Sequence, residues 1–151
     1  MLIARYPEGV NAVSIDAKGE WEEITIAVDS GATETVISED MLTSIDIVEG
    51  ECRKKGVEYE VADGTMIPNL GEKRFIAATE NGVLRRMTAQ VCEVNKPLLS
   101  VKRILQAGNR VVFDPEGSYI EDKSSGEIMH LREEGGMFLL KLWAKKATSP
   151  F

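Results

Sequence analysis

The chain is poor in the side chains that build metal centres and histidine-assisted nucleophiles. Its 151 residues include one histidine, His130, and two cysteines, Cys52 and Cys92. One imidazole and two thiols far apart in sequence do not make a zinc site. A Ser-His-Asp or Cys-His nucleophile would have to use His130, whose neighbours do not read as a catalytic loop. His130 is therefore read as a surface or half-buried strand residue. Two cysteines set up no disulfide framework. With no signal peptide at the N-terminus, free thiols in a reducing compartment are expected. No apolar run reaches the length needed to span a membrane. Positive charge is scarce as well: 18 Lys and Arg stand against 25 Asp and Glu, a net charge of −7. That excludes a polyanion-binding surface as the main role, so neither nucleic acid nor membrane is expected as a partner. No metal and no other cofactor is expected.

What is there reads as a globular chain. Hydrophobic residues make up 43% and charged residues 28% of the sequence, which is ordinary globular composition. The length suits one domain with a core that needs no staples.

The most informative stretch runs Glu23-Ile24-Thr25-Ile26-Ala27-Val28-Asp29-Ser30-Gly31-Ala32-Thr33-Glu34-Thr35-Val36-Ile37-Ser38. Ile24, Ile26 and Val28 form a β-branched run that carries a carboxylate into a Ser-Gly turn, and Val36-Ile37 returns. This predicts strand, tight loop, strand. Asp29 then sits at the end of a buried strand, where an unheld charge is costly. Gly31 lets the backbone turn close to it, and the Ser30 and Thr33 hydroxyls can hydrogen-bond the loop. Taken by itself, Asp-Ser-Gly also fits an ordinary Asx turn between strands.

The remaining pattern is mostly strands and turns. Residues 10–15 and 21–28 predict a hairpin around Asp16-Ala17-Lys18-Gly19. Ser38 opens an expected helical turn, and 48–57 reads as a surface connection. Asp63-Gly64 is a hairpin signal, so Asp63 is a turn residue rather than a catalyst. Pro68-Asn69 and Gly71 predict the exposed tip of another hairpin over residues 65–76. Asn81-Gly82 predicts a type I′ hairpin between strands at 75–78 and 87–94. Val101, Ile104 and Leu105 fall at helical spacing before Gly108, which predicts one short amphipathic helix. Asp114-Pro115-Glu116-Gly117 and Ser124-Ser125-Gly126 mark turns between strands, and 137–143 reads as a last strand before a frayed tail.

The Asp29 stretch resembles the active-site loop of retropepsin-like aspartic proteases. Pro97-Leu98-Leu99-Ser100-Val101, Ile104-Leu105, Gly108, Val111-Val112-Phe113-Asp114, Gly117 and Ser125-Gly126-Glu127-Ile128 narrow the resemblance to the protease region of copia-type retrotransposon polyproteins, and Gly135-Gly136-Met137-Phe138-Leu139-Leu140 is similar to the segment that follows it there. It covers roughly residues 21–143. One departure is Ser100, where retroviral relatives carry glycine after two apolar residues. The resemblance implies a mainly β, closed retropepsin-like barrel with one short C-terminal helix. The expected layout is an N-terminal extension over 1–20, a protease domain over 21–122, and a C-terminal hairpin and tail over 123–151. Asp29 would be catalytic, and Ser30, Gly31, Ala32 and Thr33 would form the active-site loop, with Thr33 tying two such loops together. Ile67, Pro68, Asn69, Leu70 and Gly71 would form a flap over the substrate.

Peptide hydrolysis by water needs a base for the water and an acid for the carbonyl oxygen and leaving amine. Two carboxyls sharing one proton supply both. This chain has a single Asp-Ser/Thr-Gly, so the resemblance implies a homodimer in which each subunit donates Asp29 across a two-fold axis. The implied substrate is the parent polyprotein, and the implied location is the cytoplasm or a virus-like particle. Two other classes remain open at this point: a dimerising domain of the same fold that grips peptides without cutting, and an inactive assembly segment of a polyprotein.

Overall fold

The computed structural model describes residues 21–145. The expected 1–20 extension, its strand at 10–15, and the tail beyond Lys145 lie outside the described residues. Among those described there are eleven strands and two short helices. They are β1 (Trp21–Asp29), β2 (Val36–Ile37), α1 (Glu51–Lys54), β3 (Glu58–Glu60), β4 (Met66–Pro68), β5 (Gly71–Ala78) and β6 (Leu84–Val91). There follow β7 (Leu98–Ser100), α2 (Val101–Gln106), β8 (Asn109–Val112), β9 (Ser118–Asp122), β10 (Ile128–Glu134) and β11 (Met137–Lys145). The expected mainly β character is observed. No helix among the described residues is long and apolar enough to cross a membrane.

Nine strands form one sheet in the order β1-β7-β2-β6-β5-β11-β10-β9-β8, and β11 also pairs with β1. The β-branched run of β1 explains why it becomes a central strand. It runs antiparallel to β11 from Trp21↔Lys145 to Val28↔Phe138. Its last three residues pair on the other side with β7, in parallel: Ala27↔Leu98, Val28↔Leu99 and Asp29↔Ser100. Covered on both sides, Ile26, Ala27 and Val28 are all buried, with no alternation.

The arrangement of β2 decides the site. It does not pair with β1, the strand it follows. It lies antiparallel to β7 (Val36↔Leu98) and parallel to β6 (Val36↔Gln90, Ile37↔Val91). A strand from much later in the chain is thus inserted between the two arms of the Asp29 loop. The core beneath joins Ile26, Val28, Ile37, Val91, Leu99 and Leu142. Each such side chain contributes about 1.5–3 kcal/mol by leaving water. α2 packs Ile104 into this core and leaves Leu105 exposed.

Several local expectations are corrected. Ser38 opens a hydrogen-bonded turn (Met41 N–H to Ser38 O, 3.1 Å) and no helix. The segment behind it is instead held by Lys73 of β5, whose buried ammonium donates to Met41 O and Leu42 O at 2.9 Å each. Burial pulls the Lys73 pKa down from its ordinary value, and these carbonyls offset the cost of burying the charge. The connection at 48–57 contains α1. The Asn81-Gly82 turn is not a two-residue type I′ hairpin. Thr79 N–H bonds Val83 O and Gly82 N–H bonds Thr79 O, with the positive φ at Gly82 alone, so the loop is longer. Asp122 closes β9, and its N–H bonds Glu127 O across the turn to β10. His130 is exposed on β10 opposite Tyr119, and both cysteines are free thiols.

Candidate active site

Asp29 is the last residue of β1 and is half-buried, at the point where the sheet's inner strands meet a loop. The Gly31 N–H donates to Asp29 Oδ1 at 2.7 Å. This is the carboxylate's single hydrogen bond among the described residues. A Cβ on residue 31 would stand 3.3 Å from that Oδ1, so glycine here allows the close approach expected from the sequence. Beyond it the loop turns its outer side to solvent: Ser30, Gly31 and Thr33 are exposed and Ala32 is half-buried.

The underside of the loop is held by Ser100, the residue at which the chain departs from the retroviral pattern. Ser100 is fully buried. Its hydroxyl donates to Ala32 O at 2.7 Å. Its backbone N–H donates to the Thr35 hydroxyl at 3.1 Å. The same Ser100 hydroxyl accepts the Arg103 N–H at 3.2 Å and so caps α2. One serine therefore joins the loop, the inserted strand and the helix. A serine directly before an apolar helical pattern is an N-cap signal, and that signal was available in the sequence. Thr35, the buried hydroxyl of the loop, carried none. It is the hydroxyl that fastens the loop within the chain, whereas Thr33 faces out.

A second clamp joins the loop to α2. Arg103 Nε donates to Glu34 Oε1 at 3.0 Å, and Nη2 reaches Glu34 Oε2. This two-pronged geometry fixes both groups better than a single contact does. A cavity of about 470 Å³ opens beside this clamp, lined by Glu34, Thr35, Leu99, Arg103 and Ile104 among others. Asp29 does not line it, so it is not the cleft in which this carboxylate would work. Among the described residues no cluster of His, Cys, Asp and Glu could hold a metal ion.

The expected exposed tip is corrected. Residues 67–71 are not an exposed tip. Asn69 is 1% exposed, Gly71 is buried, and Ile67 and Leu70 are half-buried; only Pro68 is exposed. Gly71 has φ +133°, and a Cβ there would come within 2.5 Å of Ile47 and 2.8 Å of the Val48 carbonyl oxygen. This is a crowded crossing, not a loop end. The hairpin with a free tip is β3–β4, paired from Glu58↔Pro68 to Glu60↔Met66. Its turn is closed by Val61 N–H to Thr65 O at 2.9 Å and Gly64 N–H to Val61 O at 2.8 Å. Residues 62–65 are exposed. Asp63 is the turn residue expected of it, its Oδ1 accepting the Thr65 N–H at 2.9 Å.

No protein-family model, no curated protein and no solved structure matches the chain.

Proposed function

We propose that the protein is an aspartic endopeptidase of the retropepsin-like, copia type, working as a homodimer with one Asp29 from each subunit. The observation that carries this reading is the placement of Asp29. A carboxylate ends a buried strand, is held by a glycine N–H at 2.7 Å, and stands in a loop braced from below and open on its outer side. A second copy approaching that side across a two-fold axis would bring the two carboxylates together.

Two carboxyls a few ångströms apart cannot both ionise cheaply, so they share one proton. The ionised one takes a proton from water, and the water oxygen attacks the peptide carbonyl carbon. The protonated one gives its proton to the carbonyl oxygen. Collapse of the tetrahedral intermediate returns a proton to the leaving amine. Exposed Thr33 and Ser30 would meet their copies at the same axis. The strand pairings run from β1 through β7, β2, β6, β5 and β11 and return to β1, which supports a closed barrel as the frame. The β3–β4 hairpin, with its tip at residues 62–65, takes the flap role and would exclude water when closed. An extended peptide would pair its backbone with strand edges. Its natural source would be the parent polyprotein.

The test is cleavage of an unfolded casein-like substrate between about pH 4 and 6, wild type against Asp29→Asn. Cleavage by the wild type alone supports the reading. Equal cleavage by both, or a dimer that cleaves nothing, overturns it; the second outcome leaves a peptide-gripping module. Because the site needs two chains, specific activity should fall faster than linearly on dilution. A monomer that cleaves at every concentration contradicts the shared site.

A further inference from the structure

We propose that Asn69 is a positioning residue, a latch at the hinge of the β3–β4 hairpin that ties this hairpin to the main sheet and sets its stance; the role in catalysis rests on the protease reading above.

A hairpin of two three-residue strands does not hold itself in water. Among the described residues β3 and β4 pair only with each other and are mostly exposed. Their stance therefore depends on attachments at their base, and these converge on Asn69. Its Nδ2 donates to the Tyr59 hydroxyl of β3 at 3.0 Å and to Gln90 Oε1 of β6 at 2.8 Å. Its Oδ1 accepts the Gly71 N–H at 2.8 Å. Its backbone N–H donates to Val57 O at 2.9 Å, and its carbonyl accepts Arg53 Nη1 of α1 at 2.9 Å. Both donors of the side-chain amide and its acceptor are thus engaged.

The bonds continue inward. Gln90 Nε2 donates to Glu72 Oε1 at 3.3 Å, and Glu72 Oε2 accepts Arg74 Nε at 2.6 Å. A leucine would fill this place without a buried amide. A buried amide stabilises only when its partners are all in position, and so it selects one arrangement of the groups around it. Here that arrangement couples one strand of the hairpin to the floor strand β6, while the tip four residues upstream stays free. Burial pushes the Tyr59 phenol up to about 12, so the hydroxyl that accepts from Asn69 stays un-ionised.

The test uses amide hydrogen exchange on the full chain, with peptide cleavage measured beside it. Tyr59→Phe keeps the ring and removes the hydroxyl, cutting the hairpin's side of the latch. Exchange over residues 58–68 should rise about fivefold, the equivalent of one hydrogen bond, with β1 and β11 unchanged. Asn69→Leu cuts both sides and should raise it further. In cleavage, Tyr59→Phe should raise KM several-fold and leave kcat within about twofold, because a loosened hairpin admits and holds substrate poorly while the Asp29 loop is untouched. Unchanged exchange over 58–68 overturns the latch. So does an equal rise in β1 and β11, which would make the network a prop of the whole fold. A raised exchange with unchanged KM overturns the positioning role. Should Asn69→Leu fail to fold, Tyr59→Phe decides alone. Should the wild type cleave nothing, the protease reading falls, while the exchange measurement still decides whether Asn69 anchors the hairpin.

Discussion

Two loops of this chain share one local construction and differ in everything beneath it. In the first, Asp29 Oδ1 accepts the N–H two residues on, from Gly31, at 2.7 Å. In the second, the turn between β8 and β9, Asp114 Oδ1 accepts the Glu116 N–H at 2.8 Å. Each has a buried serine that donates to a loop carbonyl. Ser100 reaches Ala32 O at 2.7 Å from 68 residues away, whereas Ser118 reaches Asp114 O at 3.3 Å from four. The Asp114 turn is closed by its own neighbours and leaves its aspartate exposed. The Asp29 loop is closed by a strand inserted from the far half of the chain, and its aspartate ends a buried strand. An aspartate turn is therefore not a signature of chemistry. The long-range brace is what makes one of the two a candidate site.

The sharpest way to break this comparison is to neutralise each aspartate. Asp29→Asn should lower peptide cleavage by at least about 10³-fold, the scale of losing acid–base catalysis. Asp114→Asn should leave the rate within about twofold. Comparable losses in both would mean that the brace confers nothing special.

The next contrast removes the serines. Ser100→Ala deletes a helix cap and the hydrogen bond to the loop, and leaves the carbonyl of half-buried Ala32 without this donor. A loss of about 2 kcal/mol is expected. Ser118→Ala removes only local bonds and should cost about 1 kcal/mol. Urea midpoints of the two variants measure the difference. Equal losses would show that sequence distance between partners does not matter here.

The smallest effect concerns a third turn of the same kind. Asp122 Oδ1 accepts the Ser124 N–H at 2.9 Å and the Ser124 hydroxyl at 2.8 Å. The Ser124 bonds, with Arg85 as a lesser cause, pull its carboxyl below the ordinary 3.8. A lowered carboxyl binds fewer protons folded than unfolded. Its contribution is thus fully present above about 3.8 and is lost as the pH falls through the lower folded value. A carbon-detected titration of Asp122 should give a midpoint under 3.8, and Ser124→Ala should move it back up. A midpoint unmoved by Ser124→Ala would contradict the assigned cause.

How far the sequence could be read follows the same division. The β-branched run into Asp29, the Asp63-Gly64 turn and the helix after Ser100 were legible because each depends on residues adjacent in the chain. Pro68-Asn69 was misjudged for a physical reason. It carries the same turn chemistry as Asp63-Gly64, five residues earlier. Gly64, with φ +87°, takes the turn, while Asn69 finds its partners in Tyr59 and Gln90 and is buried. Nothing local distinguishes an asparagine that caps a turn from one that satisfies a distant glutamine.

By itself, then, the sequence determined which segments are strands, where the chain turns sharply, and that a lone Asp-Ser-Gly ends a strand. The periodicity of side chains and the φ preferences of glycine act over a few residues. Only the tertiary structure decided that β7 enters between the arms of the Asp29 loop, that β11 lies between β1 and β5, and that Asn69 rather than an exposed tip stands at residue 69. Those choices are made by backbone pairing and by the need to satisfy buried polar groups, and both depend on partners the chain meets only once it has folded.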